Sequence, residues 1–196
     1  MRCRTPLRPR ARRIALLLMD VDGVMTDGGI SFIDSDREAR TFDAQDGVGL
    51  WIARRAGLRT GLLSGRSSGA VLRRAEELRI DEVHLKVRDK RQAYLRILRR
   101  LRLSDAQVCY IGDDLVDLPV LLRVGMPVAV ADAHPEVLRR VRFVTRAAGG
   151  RGAIREVIDA ILKAQGKWAE VLAWFDDPEN GGAPGTRRSA GERRSR

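Results

Sequence analysis

The chain has 196 residues, 44% of them hydrophobic, enough for one domain with a sizeable core and too few for a second full domain beside it. Its formal charge of +11 points towards nucleic acid at first sight, but residues 1–13 hold six arginines and no acid, and residues 176–196 carry a net +1, which leaves +4 for the body between them. A mildly basic body with only two cysteines, Cys3 and Cys109, argues against a nucleic-acid groove and against a disulfide framework, and a reducing cytoplasm is its natural setting.

Residues 1–13, MRCRTPLRPRARR, contain Pro6 and Pro9 and no apolar periodicity, so a disordered basic arm is expected there. The arm has the acid-poor composition of an organellar presequence, and the apolar run behind it has some likeness to a signal peptide. Neither fits, because the run is short and ends in Asp20, which the chemistry below requires. Ile14–Met19 is too short to cross a membrane and suits a strand buried on both faces of a parallel sheet. Asp20 and Asp22 follow at its carboxyl end, where ligands bind in open α/β sheets, and Gly23 lets the backbone turn away. Two carboxylates this close repel unless a cation or a shared proton lies between them, which favours a hard ion such as Mg²⁺. An Asp can also attack phosphorus while its neighbour moves protons.

Gly29–Phe42 alternates around Asp34-Ser35-Asp36 and predicts a β-hairpin. A helix is expected from Asp46 to about Arg55, ended by Gly57, and a second buried strand over Leu58–Leu63. That strand ends in Ser64-Gly65-Arg66, where a hydroxyl and backbone N–H groups at a helix start could bind an anion or merely cap the helix. The apolar spacing from Ser67 to Leu78 predicts a helix with Arg73 and Arg74 on its other faces. A short strand at Glu82–Leu85 precedes a helix starting near Asp89. Lys90 lies in its first turn, electrostatically a poor place for a cation, which a bound phosphate would explain.

Gln107–Ile111 predicts a fourth buried strand, followed by Gly112-Asp113-Asp114-Leu115-Val116-Asp117. This third polar strand end, again rich in carboxylates, converges on Asp20 and Asp22. Asp113 is expected to bind the metal directly, with Asp114 and Asp117 orienting it. Val128–Val130 continues the sheet, and His134 reads as a turn or cap residue. After a short strand at Phe143-Val144, the loop 145–152 places Arg146 and Arg151 among Gly149, Gly150 and Gly152; it could cradle an anion or simply connect to the helix over 153–165. Residues 167–175 would extend that helix, and 176–196 read as a disordered tail.

DVDGVMTDG, LLSGR, Lys90 and YIGDDLVDLPV, in that order, resemble the four signatures of the haloacid dehalogenase-like superfamily. AQDGVG, GDDLVDLPV, VAVADAHP and RAAGGRGAIREV further resemble its capless family of 3-deoxy-D-manno-octulosonate 8-phosphate phosphatases, over about residues 14–166. The resemblance implies a Rossmann-like parallel sheet flanked by helices, with a β-hairpin flap and no separate cap domain, spanning 14–175. It implies Asp20 as nucleophile, Asp22 as general acid/base, Ser64 and Lys90 as phosphate contacts, and Mg²⁺ held by Asp20, Asp22 and Asp113. Substrate contacts are implied at Asp22, Gly47, Gly65, Arg66, Arg74, Lys90 and Arg151.

The substrate so implied is a phosphorylated sugar acid in lipopolysaccharide precursor synthesis. The implied assembly is a cytoplasmic homotetramer, with no membrane or nucleic-acid partner, in which a neighbour's hairpin and carboxyl-terminal region close the site. Trp51 stands where Lys or Arg is common, Lys86 where Gly is common, and Ser64 where Thr is common. The first two departures keep a nine-carbon 2-keto sugar acid 9-phosphate open as substrate. A non-catalytic partner of a sugar-activating enzyme is the rival reading, against which stands the retention of Asp20, Asp22, Lys90 and Asp113.

Overall fold

The computed structural model describes residues 2–3, 7–34 and 37–176. In chain order the elements are β1 (Arg2–Cys3), α1 (Leu7–Ala11), β2 (Leu16–Met19), β3 (Ser31–Phe32), β4 (Glu38–Ala39), α2 (Ala44–Arg55), β5 (Arg59–Leu63), α3 (Gly69–Glu77), β6 (Glu82–His84) and α4 (Lys90–Leu101). They continue with β7 (Val108–Gly112), α5 (Leu118–Leu121), β8 (Met126–Ala129), α6 (Pro135–Arg140), β9 (Phe143–Val144), α7 (Ala153–Ala164) and α8 (Trp168–Asp176).

The wholly apolar β2 lies inside the main sheet, between β7 and β5 in the order β1-β9-β8-β7-β2-β5-β6. All neighbours from β9 to β6 are parallel; β1 alone runs antiparallel, against β9. From β2 the chain builds one half of the sheet through β5 and β6, then returns to build the other through β7, β8 and β9. The carboxyl end of β2 is therefore a topological switch point, where the loops diverge and leave a crevice. On the helical layers, α1, α2 and α8 pack with α7, and α4 packs with α5. β3 and β4 form the expected hairpin, and no separate cap domain is present among the described residues.

The amino-terminal arm departs from the expected disorder where it is described. Ala11 is fully buried, Arg10 Nη1 donates to the Gly125 carbonyl at 2.7 Å, and Arg12 Nε donates to the Ala164 carbonyl at 3.2 Å. A guanidinium at the last carbonyl of α7 is favoured by the helix dipole. Gln165 Nε2 closes the junction by donating to the Ile14 carbonyl at 2.7 Å. Arginines that look like a solvated run in sequence thus find carbonyl acceptors more than a hundred residues away. Of the expected tail, Asp176 ends α8 and residues 177–196 lie outside the described residues.

α8 is a separate helix rather than an extension of α7, because Gly166 breaks the run at φ +76°. Trp51 of α2 meets Phe175 edge-on at 5.9 Å, and the Arg55 guanidinium lies over Trp174 at 4.5 Å. The tryptophan that departs from the family pattern therefore docks α8 and is not among the residues that line the crevice.

Candidate active site

A cleft of about 930 Å³ opens at the switch point, lined by residues that include Asp20, Asp22, Ser64, Lys90, Asp113 and Asp132. Asp20 follows β2, with one oxygen accepting from the Val21 N–H at 2.7 Å and the other 2.7 Å from Lys90 Nζ. Lys90 opens α4, capped by Asp89, whose carboxylate accepts from Gln92 N–H. Its ammonium also lies 2.7 Å from Asp117 Oδ1. Two carboxylates thus offset the unfavourable helix dipole at this position. Burial works against the charge on Lys90, yet Asp117 and Asp20 hold its pKa above the ordinary value.

Asp117 is fully buried and has a complete set of donors. Its Oδ1 accepts from the Tyr110 hydroxyl at 2.6 Å, and its Oδ2 accepts from the Asp113 and Asp114 N–H groups at 3.0 and 3.3 Å. It anchors Lys90 and the loop that carries Asp113.

Carboxylate oxygens of Asp20, Asp113 and Asp117 lie within 4.8 Å of one another. Burial, reinforced by Asp117, pushes Asp20 up to about 6, against the opposing pull of Lys90; the same causes, with Asp20 added, push Asp113 up to about 8. Asp113 Oδ1 is buried without a hydrogen-bond partner among the described residues. One lysine among three carboxylates leaves negative charge uncompensated, and an all-oxygen donor set suits a hard divalent cation. The residues present therefore fit such an ion, with Asp113 offering an unpartnered oxygen and Asp20 the remaining lone pairs beside its Val21 and Lys90 contacts, while Asp117 is saturated by Tyr110, Lys90 and two backbone N–H groups. The carboxylate of Asp22, expected among the ligands, lies outside this group: its Oδ1 is 2.5 Å from Arg40 Nη1.

Ser64 is buried at the end of β5, and its hydroxyl accepts from the Arg66 N–H at 3.2 Å. Its backbone is braced by His84 O and Val87 N–H, at 2.9 and 3.0 Å. Gly65 and Arg66 line the cleft beside it. Gly47 and Arg74, both expected at the substrate, are not brought to this cleft. They pack on each other, and a Cβ on Gly47 would lie 2.4 Å from Arg74 Nη2; Arg74 pairs with Glu77 at 2.9 Å. Arg151 is 65% exposed and reaches Asp27 on the cleft wall at 3.4 Å. His134 is the cap residue expected, its Nδ1 accepting from the Glu136 N–H at 3.1 Å.

The glycine-rich loop serves the backbone more directly than it serves an anion. Gly149 abuts Gly23, Gly150 abuts Thr26 and Asp27, and the Gly150 N–H donates to the Val24 carbonyl at 2.9 Å. Asp132 accepts from the Gly149 N–H at 2.9 Å. Asp46, buried in α2, accepts from the N–H groups of Arg155 and Gly152 at 2.7 and 3.2 Å, capping α7, whose own cap residue Gly152 has no side chain to do so. Burial pushes the Asp46 carboxyl up to about 6. Asp46, Asp132 and Tyr110 lie inside the stretches AQDGVG, VAVADAHP and YIGDDLVDLPV, but nothing in those stretches marks these three positions as supports of the site, and Arg40 lies in no motif at all. What reveals them is the hydrogen bonds they make to distant residues, and those exist only in the folded chain.

A family model for haloacid dehalogenase-like hydrolases matches residues 80–158. The 3-deoxy-D-manno-octulosonate 8-phosphate phosphatase of Escherichia coli strain K12 is 42% identical over 162 residues, 83% of this chain and 86% of that protein. The crystal structure of the Yersinia pestis phosphatase of the same name superposes with a TM-score of 0.81 at 43% identity, covering 83% of this chain and 88% of that one. The Moraxella catarrhalis phosphatase, solved with a magnesium ion, a phosphate ion and a KDO molecule, gives a TM-score of 0.84 at 35% identity, covering 86% and 97%.

Proposed function

Since the chain belongs to the haloacid dehalogenase-like hydrolases and, among them, to the family of 3-deoxy-D-manno-octulosonate 8-phosphate phosphatases, we propose that it hydrolyses 3-deoxy-D-manno-octulosonate 8-phosphate to the free sugar acid and phosphate. The observation that carries this reading is the convergence of Asp20, Lys90 and Asp113 at the ends of β2 and β7 and the start of α4.

The Asp20 carboxylate attacks phosphorus in line, forming an aspartyl-phosphate as the bond from phosphorus to the sugar oxygen breaks. Asp22 gives its proton to the departing oxygen. A water then attacks the aspartyl-phosphate, Asp22 takes a proton from it, and phosphate leaves Asp20. Lys90, Ser64 and the N–H groups about Gly65 balance charge on the non-bridging oxygens. Mg²⁺, held by Asp20 and Asp113, would supply Lewis-acid stabilisation of the transferring group. Arg66 and Arg151 are the cations proposed to meet the sugar acid.

The assembly proposed is a cytoplasmic homotetramer that supplies lipopolysaccharide precursor. Among the described residues no helix is long and apolar enough to cross a membrane. Support for the assembly comes from the open cleft without a cap and from a hairpin whose Phe32 and Ile33 are 74% and 63% exposed, an apolar tip suited to a neighbouring copy. Phosphate release from eight- and nine-carbon 2-keto sugar acid phosphates, with Mg²⁺ and then with EDTA, tests the function. Preferred turnover of the eight-carbon substrate, abolished by EDTA, is expected; preference for a nine-carbon one would overturn the substrate.

A further inference from the structure

Arg40 leaves the base of the hairpin and turns inward until its side chain is 1% exposed. Its Nη1 is 2.5 Å from Asp22 Oδ1 and donates to the Gly29 carbonyl at 3.2 Å, while Nε donates to Glu38 Oε1 at 3.3 Å. On the other side of Asp22, Arg66 is half-exposed and holds more loosely, with Nε 3.9 Å from Asp22 Oδ2 and Nη2 3.6 Å from Glu38 Oε2. Two cations and two anions thus alternate around a ring that is tight at Arg40 and slack at Arg66.

A hairpin with two-residue strands has no need of a buried guanidinium, and desolvating one is costly unless its partners are fixed. The partner held most tightly here is the carboxylate beside the nucleophile. We propose that Arg40 is a positioning residue for proton transfer: it clamps Asp22 Oδ1 and leaves Oδ2 to deliver and collect the proton. The inference rests on the proton-shuttling role of Asp22. Without Arg40, Asp22 would be drawn to Arg66, which would misplace the proton donor and engage an arginine that lines the cleft.

Arg40→Met removes the charge and keeps the bulk; Arg40→Lys keeps the charge and loses the fork. Single-turnover release of the phenol is measured with Mg²⁺ on phenyl phosphate, whose leaving group needs a proton, and on p-nitrophenyl phosphate, whose leaving group does not. Arg40→Met should slow phenyl phosphate at least about tenfold more than p-nitrophenyl phosphate, Arg40→Lys should recover part of the loss, and in an Asp22→Asn background Arg40→Met should add nothing. Equal losses on both substrates, or a loss that persists in the Asp22→Asn background, would overturn the proposal. If Arg40→Met does not fold, Arg40→Gln carries the same comparison. Because both probes are aryl phosphates, a failure of the sugar-acid assignment would leave this result readable on its own.

Discussion

Gly149 lies so close to Gly23 that a Cβ on it would fall 1.8 Å from the Gly23 carbonyl oxygen. Gly23 is itself committed, with φ +79° and Asp113 Oδ2 only 2.2 Å from where its own Cβ would be. Two backbones and the Asp113 carboxylate therefore meet with no room for a methyl group. Gly149→Ala must displace backbone rather than a flexible side-chain end. The expected loss is about 3 kcal/mol, a fall in Tm of roughly 5–10 °C, with a lower kcat as Asp20 and Asp113 lose their spacing. Thermal unfolding together with steady-state kinetics checks this, and an unchanged Tm would remove the loop from its bracing role.

Asp20→Asn is expected to abolish turnover while preserving the fold, since the shape and the Val21 N–H bond survive and Lys90, losing its ion pair with Asp20, keeps the one with Asp117. Asp22→Asn should slow turnover by about 10²–10⁴-fold, the usual weight of a general acid/base. Phosphate release with circular dichroism as the folding control checks both; near-normal activity of Asp20→Asn would remove the aspartyl-phosphate from the mechanism.

Binding of Mg²⁺ should tighten as pH rises. In the metal-free protein Asp20 is raised to about 6 and Asp113 to about 8, so each holds a proton above the ordinary carboxylate range. A cation binds the deprotonated forms and must displace those protons. Affinity should therefore climb from pH 5 to about pH 8, approaching tenfold per unit for each proton released, and then level off. Calorimetry in buffers of different ionisation enthalpy counts the protons, and affinity independent of pH would contradict the buried acidic cluster as the site.

Arg151→Ala should raise KM for the sugar acid phosphate by about tenfold and leave p-nitrophenyl phosphate nearly unaffected, because only the former offers a carboxylate. The pair with Asp27 is exposed, so its loss should barely change stability. Equal effects on both substrates would instead assign Arg151 to the phosphate or to the packing of the loop.

What the sequence by itself determined is the set of features that are local. Apolar runs ending in Asp20-Val21-Asp22, Ser64-Gly65-Arg66 and Gly112-Asp113-Asp114 mark strands whose carboxyl ends carry polar groups, and parallel strands bring those ends to one edge of the sheet. Lys90 stood out because a cation opening a helix needs a reason; the structure supplies it in Asp20 and Asp117. Tertiary structure alone decided the rest, because the partners are far apart in the chain and bear no periodic mark. It engaged Asp117 with Lys90 and Tyr110, so that Asp113 keeps the unpartnered oxygen, and gave Asp22 to Arg40. It gave the arm carbonyl acceptors at Gly125 and Ala164, and it laid the glycine loop on Gly23 and Asp27. Which donor meets which acceptor across a hundred residues follows from how the layers pack, and no spacing along the chain encodes it.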